Sequence, residues 1–164
     1  MREPIIRPYV EADRDGVAHA IDELQRVEEI AHPGTRRLGL AVAEAYLDRI
    51  LQRAEERQGA VLVAEAEGKV VGFIAFRVNS HDSVTETPAY ARYGYVSDIE
   101  IDPDWRGSGL AQRLLKAAER HFAELGIERM RLSVLANNGR ARRAYAKYGF
   151  GELDLELDKK VEGE

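Results

Sequence analysis

The chain has 164 residues, 45% of them hydrophobic and 32% charged, which suits one compact soluble domain with its own core. A formal net charge of -5 argues against a nucleic-acid binder, because proteins that track phosphate backbones concentrate positive charge. The lack of cysteine removes disulfides, thiolate metal sites and a cysteine nucleophile together.

The N-terminal stretch MREPIIRPYVEADRD places acids and prolines where a secretory signal needs an apolar run, and no later stretch approaches about 18 apolar residues. A cytoplasmic location and no membrane partner are the default expectations. Residues 5–10 read as a short edge strand limited by Pro8, and Asp13 or Asp15 caps a helix through about Ile30. AHPGTRR breaks that helix. A second, from about Leu38 to Arg57, sets Leu40, Ala43, Leu47, Ile50, Leu51 and Ala54 on one stripe. Two β-rich runs follow, joined at Gly68 and Lys69 as an antiparallel hairpin. Residues 79–92 show no period and read as a long loop. A strand resumes at about Tyr95 and ends at Ile101.

The next helix buries Leu110, Leu114, Leu115, Ala118, Phe122 and Leu125 and stops at Gly126. RMRLSV alternates Met130, Leu132 and Val134 as a strand, and residues 139–148 form a helix ended by Gly149. FGELDLELD alternates Leu153, Leu155 and Leu157 against acids as a last strand, leaving residues 159–164 as a solvated tail. The order β-α-α-β-β-β-α-β-α-β predicts an α/β (α+β) domain over residues 1–158. Its sheet is mixed and mostly antiparallel, of six to seven strands, with four helices on its faces.

DPDWRGSGLAQRLL, residues 102–115, runs a turn through Gly107 and Gly109 into the most regular helix of the chain. Unpaired N–H groups at a helix N-terminus favour an anion, and glycines leave room for its approach. The segment lacks the Lys-Ser/Thr pair of a Walker loop and a full dinucleotide fingerprint, so neither chemistry is supported. On the glycines alone, a phosphate site and a plain tight turn both stay open. The histidines, His19, His32, His81 and His121, have no metal-like spacing, and no metal is expected.

RGSGLA, Arg106 to Ala111, resembles the R/Q-x-x-G-x-G/A signature of the GNAT superfamily of N-acetyltransferases. NGRARRAYAKYGF, Asn138 to Phe150, is similar to that family's N-x-x-A-x-x-x-Y-x-x-x-G-F segment. The match covers residues 93–158; the first half agrees in element order alone. The resemblance implies acetyl-CoA as cosubstrate, lying between strands 95–101 and 130–135. Its pyrophosphate would meet the backbone of Arg106, Gly107, Ser108, Gly109, Leu110 and Ala111. Its pantetheine arm would pair with the stretch Ile99, Glu100 and Ile101, and Asn138 would contact that arm. A homodimer is common in the resembled family.

The implied reaction is direct acyl transfer from the thioester to a primary amine of a small molecule or peptide. An ammonium of pKa about 10.4 must first lose a proton, at about 1.4 kcal/mol per pH unit. Tyr145 stands where the family places the hydroxyl that serves the departing thiolate. The base departs from the pattern: YVSDIEI carries Ser97 where some polyamine members have a glutamate. Asp98 remains, to orient the amine or take its proton, and Glu100 shares its parity. Ser97, together with His32 in the break between the first two helices and Glu29 just before it, borders the expected acceptor site. The competing reading is a sensor or accessory domain that binds acyl-CoA without catalysis, and Ser97 at the base position is its motivation.

Overall fold

The computed structural model describes residues 3–162. Strand β1 (Ile5–Pro8) leads through a single 3-10 turn into helix α1 (Arg14–Ala31), and α2 (Leu40–Glu56) follows the loop after it. Strands β2 (Ala60–Ala66) and β3 (Lys69–Ser80) form a hairpin. The one-turn helix α3 (Pro88–Ala91) precedes β4 (Arg92–Ile101), and α4 (Leu110–Glu124), β5 (Met130–Leu132) and α5 (Gly139–Tyr148) complete the order.

The strands lie as one sheet in chain order, β1 to β5, antiparallel except for the β4–β5 pair. The class is mixed α/β as expected, with five strands rather than six or seven and five helices rather than four. The expected final strand is a correction: residues 151–162 adopt no regular structure. Leu153, Leu155 and Leu157 stay exposed, because among the described residues no neighbouring strand pairs with them. Of the expected tail, residues 159–162 are exposed and irregular, and 163–164 lie outside the described residues. The loop expected over 79–92 is shorter, since β3 runs to Ser80, α3 supplies one turn and β4 begins at Arg92.

Two apolar layers sandwich the sheet. On one face Val17 and Ile21 of α1 and Leu47 and Ile50 of α2 pack on Val63 and Phe73. On the other, Leu110, Leu114, Leu115 and Phe122 of α4 pack on Ile74 and Phe76. The three-and-four spacing of α2 and α4 faces these side chains to the sheet. The first hairpin turns at Glu67–Gly68, both with positive φ (54° and 77°), one residue earlier than Gly68 and Lys69. Two consecutive positive φ values match a two-residue turn to the twist of the strands. No described helix is long and apolar enough to cross a membrane.

Candidate active site

The site begins with an irregularity in β4. Ala75 pairs with Asp98 and Phe76 with Val96, so Ser97 is an extra residue, a β-bulge. The bulge switches faces. Before it, Gly94 and Val96 point toward α4; after it, Ile99 and Ile101 take that side. Asp98 and Glu100 turn to the α1–α2 side, opposite Ala75 and Phe73. Ser97 spends its hydroxyl on Ala75 O at 3.3 Å.

The second irregularity is a splay. β5 pairs with β4 across only Gly94–Val96 and Met130–Leu132, whereas β4 runs on to Ile101. Among the described residues, Ser97 to Ile101 therefore have no strand partner on their β5 side, an open edge that an extended ligand can join. Leu24, Glu28, Ser97, Asp98, Ser133 and Tyr145 line the cleft at the fork.

Asp98 is 7% exposed. Tyr46 of α2 donates its hydroxyl hydrogen to this carboxylate, at 3.1 Å from Oδ1 and 3.3 Å from Oδ2. Burial pushes the Asp98 carboxyl above the usual range, opposed by the hydrogen bond from Tyr46. The burial and the carboxylate together raise the Tyr46 hydroxyl, which keeps its proton and stays a donor. Tyr46 had no motif to mark it, and its contact is 52 residues away in sequence.

Tyr145 sits on α5, where Gly149 (φ 120°) caps the helix and lets Phe150 return onto the ring at a centroid distance of 6.0 Å. Burial first, then the carboxylate of Glu100, pushes its hydroxyl up to about 12. That hydroxyl makes no hydrogen bond among the described residues, although it borders the cleft. It is a proton-bearing donor without an acceptor.

At the far end of β4, Asp102 accepts from the N–H of Asp104 at 2.9 Å and opens a single 3-10 turn. Gly107 (φ 78°) and Gly109 (φ 86°) then hold the left-handed conformation that starts α4. Among the described residues the N–H groups of Gly107, Gly109, Leu110, Ala111 and Gln112 have no acceptor, and a Cβ on Gly107 would meet nothing within 4 Å. Ser108 gives its N–H and its hydroxyl to Trp105 O, the latter at 2.6 Å. Arg106 donates to Glu100 at 2.8 Å and to Ile101 O at 3.1 Å. Its side chain thus ties the turn to β4. It also offsets the charge of Glu100, whose carboxyl burial raises and Arg106 lowers in part.

The remaining residues singled out from sequence fall differently. The Asn138 carboxamide oxygen accepts from Ala141 N–H at 3.1 Å and caps α5. Glu29 accepts three N–H groups, from Gly34, Thr35 and Arg36 at 2.6, 3.1 and 2.7 Å, which lower its pKa. Its carboxylate organises the α1–α2 loop, and Glu28, one residue earlier, is the acid that reaches the cleft. His32 is the exposed C-cap of α1, its carbonyl accepting from Thr35 at 2.7 Å. Asn137 donates to Ala31 O, joining that loop to the one before α5. No three acidic or histidine side chains gather as a metal site among the described residues.

Residues 21–150 match the model of the Acetyltransferase (GNAT) family. The aminoglycoside N(6')-acetyltransferase type 1 of Stenotrophomonas maltophilia is 30% identical over 120 residues, 72% of this chain and 77% of that protein. The mycothiol acetyltransferase of Propionibacterium freudenreichii subsp. shermanii is 27% identical over 137 residues, 84% of this chain and 42% of its own length. The chain thus spans less than half of the mycothiol acetyltransferases it matches. Among solved structures, AAC(6')-Iy in complex with a CoA-derived bisubstrate analog superposes with a TM-score of 0.70 at 19% identity, covering 99% of this chain and 100% of that one.

Proposed function

The chain belongs to the acetyltransferase (GNAT) family, and from that membership we infer that it transfers an acetyl group from acetyl-CoA to a primary amine of a small molecule or peptide. The observation that carries the reading is one continuous strip. Unpaired N–H groups at the start of α4, the open edge of β4, the buried Asp98 and the unpaired Tyr145 hydroxyl follow one another along it.

The residues fit such a donor. Five unpaired N–H groups at a helix N-terminus suit a pyrophosphate, the helix end adding about 0.3–1 kcal/mol of dipole attraction. Backbone groups on the free side of Ile99, Glu100 and Ile101 suit an amide-bearing arm. Acetyl-CoA supplies the acyl group as a thioester. Asp98, with Glu28 across the cleft, holds the acceptor ammonium and takes its proton, leaving the amine lone pair free to attack. Backbone N–H groups at the Ser97 bulge face the charge that grows on the acyl oxygen. Tyr145 presents its hydroxyl to the departing sulfur. Full proton transfer from a phenol at about 12 to a thiolate of reference pKa about 8.5 is uphill by about 5 kcal/mol, so its role is hydrogen bonding.

The Asp98 carboxylate on the cleft, beside a Glu28 that is itself paired with Arg36 at 2.7 Å, favours an acceptor that is itself cationic, and the likeness to an aminoglycoside acetyltransferase supports the same class. The test is release of free CoA from acetyl-CoA across a panel of primary amines, polyamines and aminoglycosides included. Turnover with any of them establishes the transferase. A melting temperature raised by acetyl-CoA with no turnover on any amine establishes the accessory binder instead.

A further inference from the structure

Next to Asp98, on the same face of the sheet, lies positive charge with nothing to balance it. Arg77 follows Ala75, the β3 partner of Asp98, by two residues and so shares its face. It stands opposite Tyr95, with its guanidinium over that ring at 5.0 Å. The Tyr95 hydroxyl in turn donates to Oγ of Ser133, on the cleft, at 3.1 Å. Arg53 and Arg57 continue the stripe of α2 that brings Tyr46 to Asp98, two and three turns further on.

These arginines converge without an acid. Arg57 Nη1 and Arg77 Nε both donate to one neutral oxygen, Oδ1 of Asn79, at 3.3 and 3.1 Å. Among the described residues no carboxylate pairs with Arg53, Arg57 or Arg77, and the terminal nitrogens of Arg77 have no acceptor. Burial first, then the charges of Arg53 and Arg57, hold the half-buried Arg77 below the ordinary guanidinium value. Charges drawn together and partly desolvated cost free energy unless an opposite charge joins them. The chain has 29 acids against 24 bases, yet places none of those acids here.

A guanidinium fork matches a carboxylate or a phosphate, which it binds through two parallel hydrogen bonds. Resting on the transferase reading, we propose that the acceptor carries, besides the amine received by Asp98, a carboxylate or phosphate bound by Arg77 with Arg57 and Arg53. Ala75 and Arg77 are separated by about 7 Å of strand, so the acceptor spans the face with its amine at the fork and its oxyanion beside Tyr95. The arginines then select among amines that Asp98 alone would accept equally.

The test compares CoA release with aminohexanoate, aminohexyl phosphate, aminohexanol and diaminohexane, and with their shorter and longer homologues. An oxyanion-bearing amine is expected to exceed the matched alcohol in kcat/KM by about ten- to a hundredfold, chiefly through KM. The carboxylate and phosphate arms tell which oxyanion is taken. Arg57→Gln/Arg77→Gln is expected to erase the ratio and Arg77→Lys to restore part of it, with unchanged CoA affinity showing each variant folded. The ratio is the readout because loss of the Arg77 charge, which favours ionised Asp98, slows every amine alike. Alcohol or diamine turned over as well as both oxyanion arms, or a ratio that survives the double substitution, overturns the inference and leaves the transferase standing. If no amine turns over, the transferase reading fails, and calorimetry in saturating CoA decides the oxyanion site by itself. Tighter binding of the oxyanion-bearing amine than of the alcohol, lost in the double variant, upholds the site; equal or undetectable affinities overturn it.

Discussion

Asp98→Asn separates activity from stability, because the geometry predicts opposite signs for the two. The amide is nearly isosteric and still accepts from Tyr46, so the cleft keeps its shape and loses its charge. At pH 7 an amine of pKa about 10.4 resists deprotonation by about 4.6 kcal/mol, and a positioned base recovers about 10²- to 10⁴-fold of rate. We expect kcat/KM to fall by about that factor at pH 7, measured as CoA release. The deficit should shrink as the pH approaches the amine pKa, where solvent supplies the free base. Stability moves the other way. Burial holds the Asp98 carboxyl above its unfolded value, so from the ordinary carboxylate range up through that raised value the folded state binds more protons than the unfolded. Its stability falls as pH rises through that window. The variant does not titrate there. Its thermal advantage should be absent in acid, where Asp98 is neutral, and present at pH 7. An activity loss below about threefold, or one equal at pH 7 and about pH 9, refutes Asp98 as the proton acceptor. A lower melting temperature at pH 7 refutes the desolvation argument.

Tyr46→Phe removes the hydroxyl donor that favours the ionised Asp98, so the acid limb of the kcat/KM profile should move to higher pH; an unmoved limb excludes a positioning role. Tyr145→Phe should lower kcat by about ten- to a hundredfold, the worth of about 1.5–3 kcal/mol for a hydrogen bond to a charged group, while the Kd of CoA by calorimetry changes little. Gly109→Ala forces a Cβ onto φ 86° at about 1–2 kcal/mol. It tilts the free N–H groups at the start of α4, so CoA affinity should weaken together with a modest fall in Tm. Gly94→Ala drives a Cβ to within 2.4 Å of the buried Phe122 ring, an overpacking cost of about 1–3 kcal/mol. Differential scanning calorimetry should show a lower Tm with CoA binding retained.

What could be read from the chain alone divides by the range of the interaction. The stripes of α2 and α4 are local, set by a period of 3.6 and one buried face, and Ala43, Leu47, Leu114 and Phe122 are buried as that period requires. The α4 turn was likewise local, since two positive-φ glycines need no partner to be recognised. The Tyr46–Asp98 contact joins α2 to β4 across the sheet, and no spacing rule connects residues that far apart. Glu29 was the acid singled out before His32, but the loop claims its carboxylate with three N–H groups, and the neighbouring Glu28 is the one on the cleft. The final strand failed for the same reason in reverse: its alternation is plain, but a strand exists only where an edge receives it. The bulge stands between these cases. In VSDIEI the apolar positions run Val96, Ile99, Ile101, a step of three followed by a step of two. A regular strand would put Val96 and Asp98 on one face, with Ile99 and Ile101 on the other. One extra residue at Ser97 places all three apolar side chains toward α4 and turns Asp98 toward Tyr46. The spacing therefore already encoded a face switch, and Asp98, the carboxylate proposed to take the amine proton, is the side chain that the switch buries.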